Sequence, residues 1–408
     1  MLPYASDHRP ARSPIATWGL ILLTTALAVP FILTGRLVGA WREAELLYAF
    51  GLVPGHFRPL TLFTYPFVHE SVGHLLINLF YLWVFGAGVE DAIGRRGFLL
   101  LYLAGGAVGG ALQCAVTLTL LPSSYADTPI VGASAACATL VGLFAARYYR
   151  SRLAFVGLPF RPHVVAVVAL FLIANIGLAL WDLLHGAAAG GVANWAHVGG
   201  FVFGLACAQV MRLPEAGRRA YLRADAARAM DKSMPGSAVK RWEMLLARDP
   251  DNPSAHAELA RAWLLLGDSD LSARHFLSAI RLYLKHNQRP EAAQLYLEAH
   301  QAAIPVPGTK RLGARVDLSL SSTELFAVGS TLEESKQFEI AAETLQMLAA
   351  RFPESTEAET ALLKAAHLYV DHLSRPEEAR ILLRLFAERY PLSPWRNLAA
   401  DLNRRVNG

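Results

Sequence analysis

Apolar positions fall into long unbroken runs up to about Leu213. Beyond Ala216 they recur at helical spacing among Glu, Arg, Lys and Asp. A helix that crosses a bilayer needs about 20 mostly apolar residues. Six stretches qualify: Trp18–Leu33, Val72–Val89, Gly97–Leu121, Gly132–Tyr149, His163–Trp181 and Asn194–Met211. The later pattern is that of amphipathic helices with one apolar stripe. The chain is therefore expected to be all-α, with a short N-terminal tail (1–16), a six-span membrane domain (17–213) and a soluble helical-repeat domain (214–408). Arg9 and Arg12 precede the first run, and Ala26-Leu27-Ala28 is similar to a signal cleavage site. The run continues through Phe31, Ile32 and Leu33, which favours a retained anchor over a removed leader.

The polar half carries internal repetition. Ala238, Trp242, Leu245 and Pro250 have the spacing of one repeat's second helix, and Leu259, Ala260, Trp263, Gly267, Phe276 and Ala279 supply the next unit. Later, Leu348-Ala349-Ala350-Arg351-Phe352-Pro353 recurs as Phe386-Ala387-Glu388-Arg389-Tyr390-Pro391. The whole resembles a degenerate tetratricopeptide array, with a break expected at Pro305-Val306-Pro307-Gly308. A single helix pair cannot bury its apolar face, so neighbours stack, and the concave surface of such an array can take a peptide. The expected role is to recruit a peptide or protein partner in the cytoplasm. A structural or dimerising appendage is the plainer reading.

Charge modifies this picture only by segment. Charged residues make up 17% of the chain, below the roughly 25% of soluble domains. The net charge of +5 is spread over loops rather than gathered into a nucleic-acid surface. Arginines occur before span 1 (Arg9, Arg12), after span 2 (Arg95, Arg96), around the link between spans 4 and 5 (Arg147, Arg150, Arg152, Arg161) and after span 6 (Arg212, Arg218, Arg219, Arg223). The loops Pro122–Val131 and Asp182–Ala193 hold neither Lys nor Arg, whereas Thr34–Ser71 is mixed. By the positive-inside rule both termini are expected in the cytoplasm of a cell, with a bacterial inner membrane as the expected location. Cys114, Cys137 and Cys207 are scattered in apolar runs without metal-type spacing, so they read as small buried residues.

With that topology, spans 2, 4 and 6 run in the same direction. Each carries polar residues near its start: His74 and Asn78, then Ser134, then Asn194 and His197. At about 1.5 Å per residue most of these groups lie roughly 5–10 Å below the outer surface. A single serine in a membrane helix is commonly a packing residue. Ionisable groups there are costly and face partners or water. Taken together the set fits nucleophilic catalysis, with histidine taking the hydroxyl proton and returning it to the leaving amine. Ser134 lies in a first helical turn, whose free N–H groups suit a developing oxyanion. His74 and Asn78, one turn apart, share a face and can add donors. Gly132, Gly200 and Gly204 provide the small surfaces that let helix backbones approach.

These residues also carry a family resemblance. His69-Glu70-Ser71-Val72-Gly73-His74-Leu75-Leu76-Ile77-Asn78, Phe85-Gly86-Ala87-Gly88-Val89-Glu90, Gly132-Ala133-Ser134-Ala135 and Ala196-His197-Val198-Gly199-Gly200-Phe201-Val202-Phe203-Gly204 resemble, in order, the motifs of rhomboid intramembrane serine proteases. The resemblance covers roughly 60–207. It implies a rhomboid-type six-helix bundle, Ser134 as nucleophile, His197 as general base with no acidic third member, and His74, Asn78 and the Ser134 backbone as the oxyanion hole. It further implies single-pass membrane proteins as substrates, cut near the outer face, with span 5 and the loop 182–193 gating their entry. Ala135 stands where the family usually has glycine, adding a methyl that the crossing is expected to tolerate. Leu60-Thr61 replaces a common Trp-Arg, which puts the anchoring of the first loop in question. A catalytically silent membrane scaffold is the second reading.

Two other motifs are set aside. His69 and His74 are five residues apart, so their side chains diverge by about 140° around a helix and are poorly placed to share zinc. The Ser134 segment lacks the strand and second glycine of a soluble hydrolase elbow. No cofactor, metal or nucleic acid is expected; the expected partners are lipid, substrate helices and a ligand of the repeats.

Overall fold

A computed structural model describes residues 3–7, 10–155, 157–185, 193–302 and 318–407. The chain divides into two compact units, Met1–Arg219 and Ala220–Gly408. The expected break at 305–308 and most of the loop 182–193 lie outside the described residues.

The first unit opens with strand β1 (Pro3–Ser6), followed by helix α1 (Ile15–Val38) and α2 (Ala40–Phe50). The long loop expected between the first two spans thus holds a helix and, at Thr61–Thr64, a further turn, α3. Then come α4 (Val72–Tyr81), a π-helical turn (Leu82–Gly86) and α5 (Ala87–Leu120). After these follow α6 (Ser134–Arg147), strand β2 (Leu153–Phe155), α7 (Val164–His185) and α8 (Asn194–Val210). The architecture is the expected all-α bundle apart from one small antiparallel ribbon of β1 and β2. Pro3–Ser6, expected within a tail, therefore pair with the link after α6.

Among the described residues, three stretches are long and apolar enough to cross a membrane by themselves: Ile15–Thr34, Val72–Leu120 and Val164–His185. The second runs for 49 residues. It turns at Gly94, whose φ of +76° only glycine adopts freely, and so serves as two spans. The 14 residues of α6 rise only about 21 Å, short of the roughly 30 Å hydrocarbon core. The expected span 132–149 is therefore trimmed at both ends. A short helix is tolerated there because Ala135–Phe144 are buried by neighbouring helices rather than by lipid.

Contacts between connections give a parity to the crossings. Glu90, just ahead of the Gly94 turn, is buried and accepts the backbone N–H groups of Ala16 (3.0 Å) and Thr17 (2.8 Å) and the Thr17 hydroxyl (2.8 Å). A carboxylate on these first-turn N–H groups satisfies donors that α1 cannot satisfy itself. With the β1–β2 pairing, this places the N-terminus, the α5 turn and the link after α6 on one side. On the other side, Leu52 N–H donates to the Ile130 carbonyl (2.9 Å) and Gly55 N–H to that of Ala126 (2.7 Å). Arg58 anchors the same loop by donating to the carbonyls of Tyr48 (2.7 Å) and Ala49 (2.5 Å) at the end of α2.

Helix α9 (Leu213–Asp231) leads into the second unit, which holds α10 (Pro235–Leu246), α11 (Pro253–Leu266), α12 (Ser269–Lys285) and α13 (Arg289–Ala302). It continues with α14 (Ser322–Glu334), α15 (Phe338–Arg351), α16 (Ala358–Asp371), α17 (Pro376–Arg389) and α18 (Arg396–Asn407). Trp242 and Leu245 lie buried on α10, and Leu259, Ala260, Phe276 and Ala279 on α11 and α12, as the repeat spacing predicts. Gly267 closes α11 in the left-handed conformation, and Asp268 caps α12 through the Leu271 N–H (2.9 Å).

Candidate active site

The site is assembled around the N-terminus of α6. Gly132 precedes it with φ +105°, and a Cβ there would lie 2.5–2.6 Å from Cε1 and Nε2 of the His74 ring. Only glycine meets both conditions, so the chain can turn into α6 directly beside His74. Ala133 caps the helix and Ser134 begins its first turn. That turn's N–H groups have no partner within the helix, and Ser134 and Ala135 line a cavity of about 560 Å³. The cavity walls include His74, Asn78, Ser134, His197, Gln113 and Asp182.

The α6–α8 crossing brings the serine to the histidine. A Cβ on Gly200 would lie 2.2 Å from the Ala135 carbonyl oxygen, and one on Gly204 2.3 Å from that of Thr139. The absence of side chains at these positions permits the approach, and Thr139 ties it by donating its hydroxyl to the Gly200 carbonyl (2.9 Å). Ser134 Oγ then lies 2.7 Å from His197 Nε2. Ala135 does not disturb this. Its methyl faces Gly109 of α5, where a second Cβ would stand only 2.9 Å away. The space for that methyl is provided by the third helix.

Asn78 is almost fully buried and its amide nitrogen lies 3.0 Å from His69 Nε2. Since Nδ2 can only donate, His69 accepts and fixes the amide's orientation. His69 therefore supports Asn78. The His69 and His74 rings meet edge to face, with centroids 5.1 Å apart. Cys137 also leans on this helix, with its thiol 3.6 Å from the Asn78 carbonyl. The structure thus gathers Ser134, His197, His74 and Asn78 around one cavity, with Gly132 against His74 at the turn into α6 and Gly200 and Gly204 at the α6–α8 crossing.

Three residues at the site escape sequence reasoning. Asn175 of α7 places Oδ1 2.7 Å from His197 Nδ1. Gln113 of α5 accepts the Ala196 N–H (3.2 Å) and steadies the first turn of α8. Asp182 of α7 accepts from Asn194 Nδ2 (3.3 Å). A polar residue inside an apolar run was the signal available for each, but no motif selected them. The Phe171 ring lies beside His197 at 6.2 Å between centroids, closing the apolar side of the imidazole.

Comparison with known proteins places these features in context. Residues 56–213 match the rhomboid domain, and 325–355 match a tetratricopeptide repeat. The chain is 30% identical over 145 residues to presenilin-associated rhomboid-like protein A, mitochondrial, of Danio rerio, covering 34% of each chain. It is 29% identical over 150 residues to rhomboid protease GluP of Bacillus subtilis (strain 168), covering 37% of this chain and 25% of that one. To the presenilin-associated rhomboid-like protein, mitochondrial, of Bos taurus it is 26% identical over 142 residues, covering 34% of each. The chain thus spans a quarter to a third of the length of these relatives.

Proposed function

We propose, taking as premise that this chain is a rhomboid-family protein with a tetratricopeptide-like C-terminal region, that it is an intramembrane serine endopeptidase. The observation that carries the reading is the 2.7 Å contact between Ser134 Oγ and His197 Nε2 inside a cavity that also holds Asn78 and His74. His197 Nε2 takes the Ser134 proton as Oγ attacks the scissile carbonyl. Charge on the carbonyl oxygen is met by the first-turn N–H groups of α6 and by donors on Asn78 and His74. His197 passes its proton to the leaving amine, and water, deprotonated by the same imidazole, releases the acyl chain and restores Ser134. No group beyond the chain's own residues and water enters these steps.

The substrates in this reading are membrane-spanning proteins, cut where α6 begins. Its short length sets that point below one membrane surface. The arginines gathered on the side of the N-terminus, the α5 turn and the link after α6 support assigning that side to the cytoplasm, with cleavage near the opposite face. The location is a cell membrane, by our reading a bacterial inner membrane. The repeat unit recruits a cytoplasmic peptide or protein partner. A serine-reactive fluorophosphonate probe tests the central claim. The intact protein in detergent should label and Ser134→Ala should not; labelling that survives the substitution overturns the assignment. Affinity capture with the Ser134→Ala protein is then expected to hold membrane-spanning substrates.

A further inference from the structure

The serine–histidine contact works only if the imidazole presents a bare Nε2, and neither Ser134 nor the α6–α8 crossing enforces that. The enforcing contact comes from α7. Asn175 Nδ2 donates to the Phe171 carbonyl (2.8 Å), an oxygen that can only accept. The amide is thereby fixed with Oδ1 turned to His197 Nδ1 at 2.7 Å. An amide oxygen accepts and cannot donate, so Nδ1 must carry a proton, and in the neutral ring Nε2 is then bare. Building on the peptidase reading, we propose that Asn175 is a positioning residue. Through one fixed amide it sets the tautomer and the ring plane of His197, completing a Ser134–His197–Asn175 chain across α6, α8 and α7.

Two further observations support it. Asn175 is 8% exposed, so water does not readily replace it as the acceptor on Nδ1. The buried side of α7 is a narrow seam of Val164, Val168, Asn175, Ala179 and Asp182. A polar amide in that seam forgoes apolar burial unless it makes a specific contact, and the contact it makes is with the base. Its second consequence is conformational: His197 is held in the working tautomer while α7 is seated against α8. Without an acceptor on Nδ1, a neutral imidazole can place its proton on Nε2 or turn away, and either removes the lone pair that Ser134 needs. Holding the base's tautomer and orientation is worth large factors in other hydrolytic sites.

The test uses the intact protein in detergent and a fluorophosphonate probe, whose labelling rate separates into a limiting rate and a half-saturating concentration. Asn175→Leu, similar in volume but without an acceptor, should lower the limiting rate about 10- to 100-fold and leave half-saturation within about twofold, as expected of a group that does not touch the probe. Asn175→Asp keeps an acceptor in place. It should recover most of the lost rate and move the acid limb of the pH profile to higher pH, because a carboxylate there favours the imidazolium. Asn175→Leu labelling at the wild-type rate overturns the proposal. So does an equal loss in both variants with an unmoved acid limb, which would mean that Asn175 only packs. Absence of Ser134-dependent labelling in the wild-type protein overturns the peptidase reading itself, and is read before any variant.

Discussion

Replacing Gly132 by alanine tests how tightly the turn into α6 is drawn. Two costs are separable in the structure. The φ of +105° is a conformation that L-residues avoid, at about 1–3 kcal/mol. The added Cβ would sit 2.5 Å from His74 Cε1, whereas carbon contacts become comfortable near about 3.5 Å, so the ring must withdraw by roughly 1 Å. Misplacement on that scale at a reacting centre costs about 100-fold, and full loss of one oxyanion donor about 10²–10³. Gly132→Ala should therefore react with the fluorophosphonate probe at least about 100-fold more slowly. It should also unfold earlier in detergent. Gly73→Ala is the control, because a Cβ there meets nothing within 4 Å, and it should label at the wild-type rate. If Gly132→Ala labels like wild type with an unchanged unfolding midpoint, the cradle of glycine against His74 is not what shapes the oxyanion site.

Three further outcomes are expected. Glu90→Ala leaves the donors of Ala16 and Thr17 unpaired at a buried position and should destabilise the intact protein by about 3 kcal/mol, read as a lowered thermal midpoint in detergent. Gly204→Ala puts a methyl against the Thr139 carbonyl; it should cost about 1–3 kcal/mol and slow labelling of Ser134 by parting α6 from α8. In the repeat unit, burial first, then His256 and Arg274, pull the His275 imidazole down from 6.5 to about 4. His256 Nδ1 lies 3.0 Å from His275 Nδ1, a contact that requires one ring to be neutral. The folded state thus binds fewer protons than the unfolded one, so this contribution is whole above about pH 6.5 and is lost as pH falls toward 4. His275→Gln should flatten the acid-side decline in thermal midpoint between pH 7 and pH 4.5; an unchanged decline refutes the assignment.

Hydrophobic periodicity alone determines that this chain has an apolar helical half and a stacked amphipathic half, because burial in lipid and burial in a repeat core impose different patterns on a helix. The repeat-scale spacing of Trp242, Leu259 and Phe276 was legible for that reason. So was the candidacy of Ser134, His197, His74 and Asn78, since a polar group in an apolar span is costly enough to signal a purpose. What sequence could not supply is rotation and depth. The 14-residue length of α6 is set by the turn at Gly132 and by the enclosing helices. The partnership of Glu90 with α1 spans more than 70 residues, and that of Asn175 with His197 joins two helices whose relative rotation no local pattern encodes. Ala135, a departure from the family's glycine, is absorbed by Gly109 on another helix. Motifs name the candidate groups; tertiary packing decides which neighbours those groups meet and how closely their backbones approach, because that depends on distances between elements that the chain's order leaves free.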